Sequence, residues 1–265
     1  WHGVFGGLYL PHLRASIWRQ LAMAERELRR DEELVVETAD TDGDGHDELW
    51  IHGPLISCVV SPRRGGAVEE LTLLDRAVNV ADVLTRRPEA YHEIAPPRDS
   101  EDRALLVVRV LPDGLAREAY ARGEYRPVHS WAATPLEPTV TVASTGVEIV
   151  LRDAGATTGL REMRVLVAAT GTLRVDCQWD PARFPRDAWF APELSVSLAP
   201  VLRCEPEADL WSYPIATTAK SERGLEETVQ GTALIPRWPV AVGRGSCELT
   251  WPAGAPGLPR ATQTV

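Results

Sequence analysis

No stretch of this 265-residue chain approaches the roughly 18 apolar residues that a membrane-spanning helix needs. The start lacks a basic segment followed by an apolar one, so no secretory signal is read there. Its first residue is Trp1 rather than Met, and a natural start upstream is the expectation. Cysteine is scarce. Cys58, Cys177, Cys204 and Cys247 are too far apart for a CxxC metal or redox pair. Each lies in or beside an apolar run, so buried free thiols and a reducing, cytoplasmic setting are expected. The sequence holds no G-x-S-x-G, no H-E-x-x-H and no Gly-rich loop ending in Lys-Ser/Thr, which removes three large hydrolase classes. Basic residues are outnumbered, 28 against 38 acidic, for a net charge of -10. Such a chain repels phosphate backbones and anionic bilayers, so neither nucleic acid nor membrane is an expected partner. Neutral ligands stay open.

What is present is ordinary for a folded protein: 44% apolar residues and 25% charged, enough to bury a sizeable core. The 21 prolines and 20 glycines are scattered, as suits many short elements joined by turns. Leu10, Leu13, Ile17, Leu21, Ala24 and Leu28 recur at spacings of three or four, which predicts an amphipathic helix with Pro11 in its first turn. Arg26, Arg29 and Arg30 fall in its last turns, where positive charge suits the helix dipole. Strands are then predicted at Glu33–Glu37, Leu49–His52, Leu55–Val60 and Val68–Leu74, with a short helix near Asn79–Arg86 stopped by Pro88. Residues 95–138 read as a long excursion holding one strand, Leu105–Val110, and one helix, Leu115–Arg122. From Thr139 the pattern is strongly β. Leu173, Val175, Cys177 and Trp179 alternate with polar residues after a Thr170-Gly171 turn. Leu194, Val196 and Leu198, then Cys247, Leu249 and Trp251, repeat that alternation. The predicted fold is mainly β: an antiparallel β-sandwich over residues 31–265, preceded by a short helical segment within residues 1–30.

The sharpest local motif runs from Asp40 to Glu48. Asp40, Asp42 and Asp44 alternate, Gly45 permits a sharp turn, His46 offers a backbone carbonyl and Glu48 a ninth-position ligand. Position twelve is Ile51, so this reads as a structural Ca2+ loop between strands and not as an EF-hand. The bland alternative is a solvated acidic turn. Trp1 and His2, beside a Gly-rich loop, could stack on a sugar and hydrogen-bond its hydroxyls, or Trp1 could be an ordinary core residue. Among the nine tryptophans, Trp179 and Trp251 read as core. Trp131, Trp189, Trp211 and Trp238 lie beside loops or prolines, where sugar platforms often sit. The run Leu84–His92 is rich in ion-pairing side chains, read as a helix end tied to the sheet. No local pattern marks the paired carboxylates of a glycoside hydrolase.

The opening run, Trp1-His2-Gly3-Val4-Phe5-Gly6-Gly7-Leu8-Tyr9-Leu10-Pro11-His12-Leu13-Arg14, closely resembles the last signature region of glycoside hydrolase family 57. That family includes 4-α-glucanotransferases and α-amylase-like enzymes. Asp40–Leu49, Leu84–His92 and Leu210–Trp238 follow in the order expected of its C-terminal sandwich, a mutarotase-like supersandwich; residues 111–135 match less well. The resemblance implies an α-glucan or maltooligosaccharide substrate for the parent enzyme. It also implies that the nucleophilic glutamate and acid/base aspartate sit on an N-terminal catalytic barrel upstream of this chain, which is therefore expected to be inactive alone. In this sequence the sugar-lining role falls on Trp1, with His2 adjacent. A stand-alone carbohydrate-binding module and a purely structural calcium-binding domain are the other readings.

Overall fold

A computed structural model describes residues 9–87, 97–221 and 224–252. The chain opens with helix α1 (Pro11–Leu28). Strands β1 (Val35–Ala39), β2 (Glu48–His52), β3 (Ile56–Ser61), β4 (Ala67–Leu73), β5 (Val78–Asn79) and β6 (Leu106–Leu111) follow. Helix α2 (Arg117–Arg122) and the short β7 (His129–Ser130) come next, then β8 (Glu137–Ala143), β9 (Gly146–Arg152), β10 (Leu160–Ala168) and β11 (Leu173–Trp179). The last strands are β12 (Trp189–Val196), β13 (Val201–Glu205), β14 (Asp209–Ser221), β15 (Gly224–Pro239) and β16 (Arg244–Thr250). They form two antiparallel sheets. The larger runs β1-β2-β3-β4-β6-β12-β15-β14, with β5 beside β4 and β7 beside β6; the smaller runs β13-β16-β11-β10-β9-β8.

Period-two alternation explains the layering. On β11, Leu173, Val175, Cys177 and Trp179 point inward while Arg174 and Gln178 stay in solvent. They meet Ile51, Cys58, Val60, Leu106, Val108 and Val110 of the larger sheet in one core. Trp131, Trp179 and Trp238 are wholly inside it. Trp179 stacks on Phe190 with ring centroids 3.9 Å apart and planes 4° from parallel. Its indole N–H donates to the Val240 carbonyl at 2.7 Å, so the buried polar edge is satisfied. Gly65 must be glycine: its φ is +65°, and a Cβ there would fall 2.2 Å from the Trp131 carbonyl oxygen.

Two expectations need correction. Residues 79–86 do not form a helix. Asn79 accepts from the Ala81 and Leu71 N–H groups at 2.9 and 3.4 Å, and Asp99 accepts from the Arg86 N–H at 2.7 Å. The Val80 N–H donates to the Leu71 carbonyl at 2.9 Å and the Val83 N–H to the Ala81 carbonyl at 2.7 Å, so the segment is tied to β4 and to Asp99 and not to its own preceding turn. The strand read as part of an excursion is central: β6 lies between β4 and β12, buried along its whole length. The rest of residues 97–128 wraps over the outer face of the same sheet.

Truncating Trp179 to Ala should cost about 3–5 kcal/mol, because the cavity left behind cannot collapse between two sheets. A denaturant titration would show this as a lower midpoint at unchanged slope.

Candidate functional site

Helix α1 lies on the outer face of the larger sheet, and it does so with an unexpected side. The residues turned to the sheet are Arg14, Trp18, Ala22, Glu25 and Arg29, spaced four, four, three and four apart. The apolar stripe read from the sequence faces out instead: Leu10, Ile17, Leu21 and Leu28 are 40%, 52%, 54% and 80% exposed. Polar clasps hold the helix at both ends. At the C-terminal end the Arg29 guanidinium pairs with Glu25 at 3.0 Å and Glu32 at 2.9 Å, contacts His52 Nδ1 at 2.5 Å, and lies 4.9 Å over the Trp50 ring. At the N-terminal end Arg14 pairs with Asp82 Oδ1 at 2.8 Å and donates to Gln230 Oε1 at 2.8 Å. The Gln230 amide in turn donates to the Tyr9 carbonyl at 3.0 Å and to Thr217 Oγ1 at 2.6 Å.

The position of Gln230 has a backbone cause. Ile215 pairs with Gly231 and Ala216 with Val229, so Gln230 is the extra residue of a β-bulge. A bulge re-aims a side chain, and here it sends a fully buried amide to the segment that carries the opening motif. Gly231 makes room for it: a Cβ there would meet the Val196 carbonyl oxygen at 2.6 Å.

Farther along the same face lies a buried ionic network. Glu193 stands on β12, flanked by Arg103 and by Arg109 of β6, the latter at 3.1 Å. Tyr120 of α2 donates its hydroxyl to Glu193. Asp99 takes Arg103 at 2.6 Å and Arg86 at 2.7 Å, while Glu101 takes Arg109 at 2.8 Å. Tyr213 accepts from Arg103 at 3.1 Å. Burial works to raise the Asp99 carboxyl, but Arg103 and Arg86 outweigh it and bring it down to about 2. Glu193 is likewise opposed by burial and held below the usual carboxylate range by Arg103 and Arg109. The cleft above the network holds a cavity volume of only ≈ 10 Å³, about the space of one water. Three guanidiniums thus face three carboxylates with no room for a sugar, which makes this a tie for the wrapping segment and not a ligand pocket.

The acidic loop joins β1 to β2. Asp40 accepts from the N–H groups of Gly43, Asp44 and Gly45 at 2.8, 3.1 and 3.0 Å. Asp42 accepts from the Asp44 N–H at 3.0 Å, and Asp44 from the His46 N–H at 2.8 Å. Glu48, buried at the head of β2, accepts from the Thr41 N–H and hydroxyl at 3.0 and 2.9 Å. Carboxylate oxygens of Asp40, Asp42 and Glu48 lie within 4.8 Å of one another; the Asp44 carboxylate stands outside that group. Trp1 and His2 lie outside the described residues.

Comparison with known proteins agrees with the order of these segments. The family model described as α-amylase/4-α-glucanotransferase, C-terminal, matches residues 40–97 and 194–250, and the model of the middle domain of the same enzymes matches residues 1–28. The chain belongs to the α-amylase/4-α-glucanotransferase family. Curated relatives include an α-amylase of Dictyoglomus thermophilum, 47% identical over 35% of this chain and 13% of that protein. A 4-α-glucanotransferase of Thermococcus litoralis is 36% identical over 44% of this chain and 18% of its own length. An α-amylase of Pyrococcus abyssi is 27% identical over 94% of this chain and 45% of its own. The chain therefore spans less than half the length of these relatives. The crystal structure of the T. litoralis 4-α-glucanotransferase superposes with a TM-score of 0.78 at 23% identity, covering 95% of this chain and 44% of that one, which establishes the shared fold.

Sequence reading did not find Gln230, Asp82, Arg103 or Glu193, since each meets a partner 68 or more positions away. The one signal available was Arg14-Trp18-Ala22-Glu25-Arg29, a second helical face beside the apolar one. Acid should test the ionic network. The stability supplied by the depressed Asp99 and Glu193 is complete above pH ~4, the unfolded range, and fades as pH falls toward the folded value of about 2. Glu193→Gln should cost ~3–5 kcal/mol at neutral pH, by leaving buried guanidinium charge uncompensated. Its urea midpoint should also fall less steeply between pH 5 and 2 than that of the unmodified chain.

Proposed function

We propose that this chain is the non-catalytic C-terminal module of an enzyme that cleaves or transfers α-1,4-glucans. Residues 1–30 form the edge of the catalytic unit and residues 31–265 the sandwich that buttresses it, with Trp1, and His2 beside it, contacting the bound sugar. The observation that carries this reading is helix α1. It grips the sandwich with charges and leaves Leu10, Ile17, Leu21 and Leu28 open to water. Burying such side chains stabilises by roughly 1.5–3 kcal/mol each, so a protein surface that covers the stripe would gain a firm hold. The upstream barrel is the occupant that fits, because the stripe begins within the opening motif itself. Its relatives' names support both hydrolysis and transfer, and the choice between them belongs to the barrel.

Maltooligosaccharide turnover measured by product chain lengths tests this directly. The chain alone should give none, and adding the upstream barrel should restore it. Ile17→Lys with Leu21→Lys should leave the melting temperature of the isolated chain within a few degrees and abolish restoration. Turnover by the chain alone would overturn the reading.

We infer also that the Asp40–Glu48 loop holds a structural Ca2+. Asp40, Asp42 and Glu48 supply three converging carboxylates, a hard-oxygen donor set of the kind calcium selects. The Asp44 carboxylate would have to turn inward to join them, and the His46 carbonyl would add a backbone oxygen. If the ion binds only the folded chain, Ca2+ at 100 times its Kd adds ~2.7 kcal/mol. Chelator should therefore lower the melting temperature of the chain, and should leave that of Asp40→Asn/Asp42→Asn unmoved. Equal chelator response in both would leave only a solvated turn.

A further inference from the structure

The function proposed above uses no cysteine, yet two of the four thiols oppose each other across a strand pair. The chain passes from β13 of the smaller sheet into β14 and β15 of the larger one, then returns to the smaller sheet as β16. There β13 and β16 pair antiparallel, with Cys204 opposite Cys247 and Leu202 opposite Leu249. All four side chains pack on the core side. Hydrogen bonds decide what kind of opposition this is. The Trp179 N–H donates to the Gly243 carbonyl at 3.0 Å, so these two residues are a hydrogen-bonded pair of β11 and the approach to β16. Bonded and non-bonded pairs alternate along the unbroken register, which makes Cys177–Gly245 and Val175–Cys247 bonded pairs as well. The Cys247 backbone therefore turns its N–H and C=O toward β11. Toward β13 it forms a non-hydrogen-bonded pair with Cys204. Such pairs hold their Cα atoms ~4.5 Å apart, with the side chains at their closest. A disulfide needs Cα atoms about 4.4–6.8 Å apart, so these two thiols can join without moving either strand.

The two thiols are unequal. β13 ends its sheet, and Cys204 is partly exposed at that open edge, whereas Cys247 is buried. A hydrogen bond with the Cys247 thiol holds Cys204 below the usual thiol range, against the opposing effect of burial. The same contact, together with burial, pushes Cys247 up. The remaining cysteines have neither advantage. Burial pushes the Cys58 and Cys177 thiols up, and Leu71 and Gly245 stand opposite them in place of a cysteine.

We propose that Cys204 and Cys247 are a reversible redox site, which a small-molecule disulfide of the glutathione class closes into a cross-strand disulfide. The Cys204 thiolate attacks one sulfur of the oxidant, forming a mixed disulfide and releasing one glutathione thiolate. Cys247 loses its proton to solvent, attacks the Cys204 sulfur and expels the second glutathione thiolate. In balance, two protein thiols are oxidised to one disulfide and the oxidant is reduced to two thiols. The new bond joins the strand that leaves the smaller sheet to the strand that returns to it. It closes a covalent loop around β14, β15 and the bulge at Gln230. Loop closure restricts the unfolded chain, so the oxidised form is the more stable one.

Incubation of the chain with millimolar oxidised glutathione, followed by thiol counting and non-reducing peptide mapping, tests the proposal. Expected are a fall from four free thiols to two and one linkage, Cys204 to Cys247. The melting temperature should rise by roughly 5–15 °C and return on addition of dithiothreitol. Cys204→Ser should keep its remaining thiols and show no shift, with circular dichroism checking that it is folded. Alkylation by iodoacetamide gives a second readout. Cys204 should react first, and Cys247→Ala should move its pH profile upward, because the thiolate loses its hydrogen-bond donor. Four thiols retained after oxidant, a mixed disulfide that persists on Cys204, or a linkage through Cys58 or Cys177 would overturn the site. An unmoved alkylation profile in Cys247→Ala would overturn the role of Cys204 as the attacking thiol.

Discussion

Glu193 occupies a strand with no wet face, and much of the outer architecture follows from that. β12 is buried on both sides, so its outward residues Glu193 and Ser195 cannot rely on water. A carboxylate there requires cations and donors within reach. The chain supplies them from three directions: Arg109 from the neighbouring strand, Arg103 from the wrapping segment, Tyr120 from α2. Arg103 then needs Asp99, and Asp99 engages Arg86. The linked pairs fix where residues 97–128 cross the sheet. Removing any one partner would leave a buried charge uncompensated, so the pairs hold together as a set.

The same polar logic attaches α1. Helices in sandwich proteins usually bury their apolar side, and α1 does the reverse. Arg14 and Arg29 anchor its ends to Asp82, Gln230, His52 and Trp50, and the leucine stripe stays open to water. Charged and amide contacts set its orientation on the sandwich.

Much of the sandwich was legible because alternation is local. β11 shows it residue by residue, and the predicted strands at 49–52 and 68–74 fall within a residue or two of β2 and β4. Failures cluster where side chains reach far. The Val80 N–H goes to Leu71 of β4 and the Arg86 N–H to Asp99, and no window of sequence around residues 79–86 reveals that. The α1 helix was found from its stripe, but periodicity gives a face and not what meets it, and this one stays exposed at Leu10, Ile17, Leu21 and Leu28. Of the four loop-side tryptophans, only burial separates Trp131 and Trp238, which are core, from Trp189 and Trp211. At the acidic loop the spacing pointed to five ligands, and the folded chain brings carboxylate oxygens of Asp40, Asp42 and Glu48 within 4.8 Å of one another while each also accepts from a backbone N–H group.

The two longest strands connect these features. β14 and β15, thirteen and sixteen residues, pair along their length with one irregularity, the bulge at Gln230. Without the extra residue the register would have no unpaired position for Gln230, and the Tyr9 carbonyl would lose its donor. A one-residue insertion thus converts a uniform ladder into a positioning device, at the cost of one unpaired backbone step. The Trp211–Arg237 stack sits on the regular part of the same ladder, so its distance from the clasp is set by strand rise and not by loops.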